Sequence, residues 1–193
     1  MVLPTGCGKT GVAVLASYAL NAARVLVITP SLIISKQIHK AFGNFLINHG
    51  IIPPNEPETA QRVLPTKSLI KKSTEIEEGM RSMVMVVNAH KIGGRSSVKI
   101  EDVPNEGYDL VIVDEAHHYP APTWKLLVDH FDKSKRLFLT ATPEHRGKPI
   151  LPVPPCYELK RSDAVEMGIV RDVFFDETTE GDEEYRYSVS YCC

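Results

Sequence analysis

The sequence predicts an α/β fold: three layers, with a mostly parallel sheet covered by helices on both faces. Three observations carry that expectation. Short, wholly apolar runs recur along the chain, separated by segments with helical periodicity. A Gly-rich turn, Gly6-Cys7-Gly8-Lys9-Thr10, opens a helix. A carboxylate pair, Asp114-Glu115, ends one of the apolar runs, at the strand edge where open α/β sheets bind ligands.

Each element has its own signal. Val12, Leu15, Ala16, Ala19 and Leu20 recur at helical spacing after the glycine turn. Val25-Leu26-Val27-Ile28 is apolar throughout, as a parallel strand buried on both faces must be. Ser31 is placed to cap a helix that carries Ile34, Ile38, Phe42 and Phe45 on one face. Residues 83–87 and 110–113 are further buried strands, and 137–139 another. Trp124 to Phe131 reads as a helix after Pro122. Between these, 51–65 is rich in proline, 66–78 reads as polar and helical, and 95–107 as a surface loop. Near the end, 158–160 reads as a strand, Ser162 as the cap of a short helix, and Gly168 as its terminator. Residues 176–184 are acidic and poor in apolar groups, so a disordered tail is expected over 176–193.

The chain has 193 residues, enough for one domain with a full core. With 22 basic and 24 acidic residues, its formal charge of −2 excludes binding to nucleic acid through bulk charge alone. Any such contact must be local. No apolar run reaches the length of a membrane span, and no secretory signal pattern opens the chain. The four cysteines lack Cys-x-x-Cys spacing, so a zinc site is not expected and an intracellular, reduced protein is.

The chemistry concentrates at two motifs. Glycines let backbone N–H groups approach phosphate oxygens, and the helix dipole favours the negative charge. Thr5, Gly6, Cys7, Gly8, Lys9 and Thr10 would form that cradle. Lys9 would reach the outer phosphates, and Thr10 would put its hydroxyl on Mg²⁺. Asp114 is the second Mg²⁺ ligand, and Glu115 is placed to take a proton from an attacking water. ATP and Mg²⁺ are therefore the expected cofactors, with Glu115 and Lys9 as the catalytic pair. His90 and His118 read as structural or surface groups, and Trp124 as core. Cys7, at a helix N-terminus, is expected to be a reactive thiol that bound ATP shields.

Leu-Pro-Thr-Gly-Cys-Gly-Lys-Thr (3–10), Val-Asp-Glu-Ala-His-His (113–118) and Leu-Thr-Ala-Thr-Pro (139–143) resemble motifs I, II and III of superfamily 2 helicases. The similarity is greatest to the group containing the type III restriction enzyme Res subunit. Residues 25–31 with Lys36-Gln37 resemble motif Ia, and Asn88-Ala89-His90 weakly resembles a further strand-contact motif. Residues 163–169 are similar to the segment closing the first RecA-like domain of that group. The resemblance implies a RecA-like P-loop NTPase core over 1–150, closed by 151–175. It implies an ATP-dependent helicase or translocase. His117, Thr140 and Thr142 would couple nucleotide state to movement. Pro30, Ser31, Lys36 and Gln37 would contact nucleic acid, DNA favoured over RNA.

Two departures from the family pattern shape the expectation. The strand feeding motif I is reduced to Met1-Val2-Leu3, against about five or six residues in a central strand, so a loosely anchored phosphate loop is expected. No second RecA-like domain with its arginines is recognisable, so the chain reads as half of a motor that binds ATP but turns it over slowly. A non-catalytic nucleotide-binding fragment and the motor part of a restriction-modification enzyme remain alternatives.

Overall fold

The structure is a computed structural model that describes residues 1–72, 75–92 and 99–172, together with the backbone of 174–175 and 189–190. Five parallel strands form the sheet: β1 (Val25–Thr29), β2 (Lys67–Ile70), β3 (Val84–Asn88), β4 (Leu110–Asp114) and β5 (Lys135–Leu139), in the spatial order β2-β3-β1-β4-β5. The three central strands are buried at every position. This is why their sequences read as continuous apolar runs rather than alternating ones.

Successive strand side chains point to opposite faces, and each face has its own helical layer. On one side Val25, Val27, Val84, Val86, Leu110 and Ile112 pack with Ala13 and Val14 of α1 (Lys9–Ala19) and with Ile38, Phe42 and Leu46 of α2 (Leu32–Asn48). On the other, Leu26, Ile28, Met85, Val87, Val111 and Val113 pack with Trp124, Leu127, Val128 and Phe131 around α5 (Pro122–His130). Each such side chain contributes about 1.5–3 kcal/mol by leaving water. Trp124, only 4% exposed, is core as expected. Two short helices complete the layers: α3 (Pro57–Val63), with proline in its first turn, packs Ala60 against the first core, and α4 (Ile76–Gly79) places Ile76 in the second.

The structure corrects several local expectations. Residues 66–78 are not one helix: 67–70 join the sheet edge as β2, and only 76–79 are helical. The hydroxyl- and lysine-rich composition that reads as a solvated helix is that of a half-exposed edge strand. The short helix α6 (Arg161–Glu166) is entered at Lys160, not Ser162, whose hydroxyl donates to Asp163 instead. Gly168 does end it, in a left-handed conformation.

The anchoring of the phosphate loop also differs from expectation. Val2 lies between Thr140 and Glu158, in parallel bridges to both. Val2 N–H donates to the Tyr157 carbonyl at 2.8 Å, Leu3 N–H to Thr140 at 2.9 Å, and Leu159 N–H to Val2 at 3.0 Å. Val2 and Leu3 are 4% and 5% exposed. A stub held on both sides satisfies its backbone as a full strand would, so the loop leaves a fixed point. The expected strand at 158–160 is this single bridge.

Beyond the sheet, β6 (Glu144–His145) pairs with β7 (Lys148–Pro149), and β8 (Phe174–Phe175) with β9 (Val189–Ser190). The remainder of the acidic tail and part of the 95–107 loop lie outside the described residues. No helix among the described residues is long and apolar enough to cross a membrane.

Candidate nucleotide site

Strand β4 ends on Asp114, and the backbone turns sharply there because Glu115 adopts a left-handed conformation, φ 50°. The turn places the two carboxylates at the carboxyl edge of the sheet. The loop preceding α1 comes to the same place. Gly6 and Gly8 take φ of 89° and 76°, values that a side chain would strain. Gly8 is the N-cap of α1, and no acidic side chain occupies its first turn. The positive end of the helix therefore stays available to an anion.

Lys9 joins the two motifs. Its Nζ lies 3.6 Å from Glu115 Oε1 and 3.5 Å from the Leu3 carbonyl. On the far side of Glu115, His117 Nδ1 approaches Oε2 to 3.3 Å, near enough for an ion pair but without hydrogen-bond alignment. Asp114 is 7% exposed. Burial, and then the negative charge of Glu115, push its carboxyl up to about 6, while Lys9 opposes the shift. Two adjacent carboxylates, one of them buried, make a place where a cation is favoured.

That donor set fits magnesium better than a metal held by protein alone. Among the described residues, no group of three or more His, Cys, Asp or Glu could hold a metal ion. Magnesium needs fewer protein ligands, because it keeps waters and takes phosphate oxygens from its nucleotide. Asp114 and the Thr10 hydroxyl are oxygen donors of the kind such an arrangement would use.

Thr140, fully buried just beyond β5, folds its hydroxyl onto the backbone two residues on. It accepts from Thr142 N–H at 3.1 Å and donates to the Thr142 carbonyl at 3.2 Å. Its backbone pairs with Met1 and Leu3, so the expected coupling turn is hydrogen-bonded to the stub that feeds the phosphate loop. His117 and His118 lie ring against ring at 4.3 Å, and His118 stacks on Trp124 at 5.4 Å.

Pro30, Ser31, Lys36 and Gln37 follow β1 at the same sheet edge. Ser31 caps α2 by accepting from Ile34 N–H, and Lys36 and Gln37 are exposed on its first turns. Sequence reasoning missed what holds this corner. The buried Thr29 hydroxyl meets Ser35 Oγ at 2.6 Å, and Ser35 donates to the Ser31 carbonyl. Asn88 Nδ2 donates to the Pro30 carbonyl at 3.3 Å. A lone hydroxyl or amide at the end of an apolar run was the available signal.

A glycine-rich loop opening a helix on a parallel α/β sheet, with an acidic pair ending another strand at the same edge, defines a P-loop nucleotide-binding domain. The family model of the type III restriction enzyme Res subunit matches residues 1–145. The chain belongs to that family, one of ATP-dependent, helicase-type hydrolases. It is similar to the DNA 3'-5' translocase XPB2 of Sulfurisphaera tokodaii, with 26% identity over 163 residues, 81% of this chain and 31% of the relative. The chain thus spans about a third of that relative's length. Among solved structures, the Hef helicase domain of Pyrococcus furiosus superposes with a TM-score of 0.52 at 23% identity, covering 76% of this chain and 30% of that one. This likeness shows the shared fold. The UvsW helicase of bacteriophage T4 gives 0.49 at 14% identity, covering 74% and 46%.

Proposed function

We propose that the chain binds ATP with Mg²⁺ at the 5–10 loop and hydrolyses it, driving movement on nucleic acid with DNA preferred over RNA. The observation that carries this reading is the meeting of Lys9, Glu115 and Asp114 at one sheet edge. Without nucleotide, Lys9 neutralises Glu115. A triphosphate in the loop draws Lys9 toward its outer oxygens, because those oxygens carry more charge than one carboxylate. Oε1 of Glu115 is then free to accept a proton from the attacking water, while Oε2 stays against His117. Asp114 with Thr10 would hold magnesium, which would supply neutralisation of the phosphate charge when bound.

The Thr140–Thr142 turn is the coupling device: its backbone bonds to the stub before the loop register a shift of the loop. Pro30, Ser31, Lys36 and Gln37 form the nucleic-acid contact, for which the XPB2 relative's name favours DNA. A second RecA-like domain in the intact motor would complete the phosphate site with arginines, which raise rates by about 10³–10⁵ in related phosphoryl transfers.

Nucleotide affinity and ATPase rate, each with and without single-stranded DNA or RNA, test the reading. Lys9→Ala should abolish binding. Glu115→Gln should keep binding and lower turnover by about 10²-fold or more. Unchanged affinity in Lys9→Ala sinks the proposal. Binding without turnover in the wild-type chain, even with DNA present, favours the non-catalytic alternative.

A further inference from the structure

Besides the two cores flanking the sheet, a third small apolar cluster is built on the phosphate loop itself. Leu3 enters the loop, Cys7 lies within it and Val12 leaves it. The other members come from far down the chain: Leu159, Ala164 of α6, and Val170. Val170 reaches the loop because α6 ends in a chain reversal. Gly168 N–H donates to the Val165 carbonyl at 2.9 Å and Ile169 N–H to Ala164 at 2.9 Å, with Gly168 at φ +68°. These are the paired bonds of a Schellman motif. Val170 N–H also donates to Ala164 at 3.2 Å, and Arg161 Nη2 reaches the Arg171 carbonyl. The reversal lays Val170 against Gly6, where a Cβ added to the glycine would stand 3.3 Å from Val170 Cγ1.

We propose that Val170 is a positioning residue for the phosphate loop, holding Gly6 and Cys7 in the conformation that receives phosphate. The proposal rests on the nucleotide reading of that loop. A loop with two left-handed glycines has many alternative conformations, and each one excluded beforehand lowers the entropy lost when phosphate binds. The stub Val2-Leu3 fixes the start of the loop and α1 fixes its end. Val170 supports the part between, from the side chain facing Gly6. Its apolar surface has no group that competes for the N–H groups of the loop, of which the Cys7 N–H donates to the Pro4 carbonyl at 3.2 Å.

The test uses the full 193-residue chain with Cys156, Cys192 and Cys193 changed to serine, so that Cys7 is the sole thiol. Val170→Ala, Val170→Ile and Lys9→Ala are compared for ADP and ATP–Mg²⁺ affinity, urea midpoint, and the rate of Cys7 alkylation without nucleotide. Val170→Ala should weaken nucleotide binding about five- to tenfold, the range typical of deleting packed methyl groups. It should also speed Cys7 labelling at urea concentrations well below the midpoint, and Val170→Ile should reverse both effects. Wild-type affinity and labelling in Val170→Ala, with Lys9→Ala still defective, overturn the proposal. Losses that merely track the urea midpoint and are not restored by isoleucine also overturn it. If Lys9→Ala binds nucleotide normally, the nucleotide reading fails instead, and the labelling rate alone decides whether Val170 holds the loop.

Discussion

Replacing Asp114 by asparagine should make the metal-free protein more stable while removing the magnesium ligand proposed above. Asp114 is almost wholly enclosed at the end of β4, and its carboxyl is raised from the ordinary 3.8 to about 6, by burial first and Glu115 second. The sign follows from which state binds the proton more tightly. Below pH 3.8 the group is protonated in both the folded and unfolded chains. Between 3.8 and 6 the unfolded chain ionises while the folded one keeps its proton, so stability falls as pH rises. Above 6 the folded state carries the full penalty: about 2 pH units at 1.36 kcal/mol each, or roughly 3 kcal/mol. Asparagine keeps the shape and cannot ionise. At pH 8 the Asp114→Asn chain should therefore unfold at a higher temperature, by about 6–12 °C for a chain of this size. At pH 4 the difference should shrink to about 1–2 °C. Added Mg²⁺ with nucleotide should raise the wild-type melting temperature more than that of the variant. Calorimetric scans at the two pH values decide the matter. No gain at pH 8, or an equal gain at pH 4, would refute the reasoning.

Two further outcomes follow from packing. Burial pushes the Tyr108 hydroxyl up to about 12, and this hydroxyl donates to Met85 Sδ at 3.5 Å. The unfolded chain ionises near 10, so the tyrosine's contribution is intact below pH 10 and lost between 10 and 12, roughly 3 kcal/mol in all. Tyr108→Phe should flatten that alkaline loss in urea titrations. Gly11 in α1 has no room for a methyl group, since an added Cβ would stand 2.7 Å from Phe45 Cζ. Gly11→Ala should cost about 1–3 kcal/mol by displacing the Phe45 ring, less the ~1 kcal/mol that alanine gains over glycine inside a helix. Phe45→Leu in the same chain should recover part of the loss, measured by chemical denaturation.

The layers and the loop chemistry were legible in the chain because they rest on local pattern. Residues 25–28, 84–87 and 110–113 are apolar at every position, a pattern that covered parallel strands impose wherever they occur. Gly6, Gly8 and Lys9 form a turn whose backbone freedom and charge are readable within five residues, and Asp114-Glu115 ends a strand visible in its own sequence. At β2 local reading failed, because a half-exposed edge strand tolerates the lysines and hydroxyls that also suit a helix.

What only the tertiary structure decided involves residues far apart along the chain. That Val2 is a strand at all depends on carbonyls and amides offered by Thr140, Tyr157 and Leu159. That Lys9 rests on Glu115 depends on α1 and β4 meeting at one sheet edge. The raised carboxyl of Asp114 depends on the depth at which β4 is buried, and the support of Gly6 on a reversal near residue 168. Sequence by itself determined which groups could do the chemistry, since periodicity and turn chemistry act over a few residues. Folding determined which of them meet, because contact, burial and charge depend on distance in space.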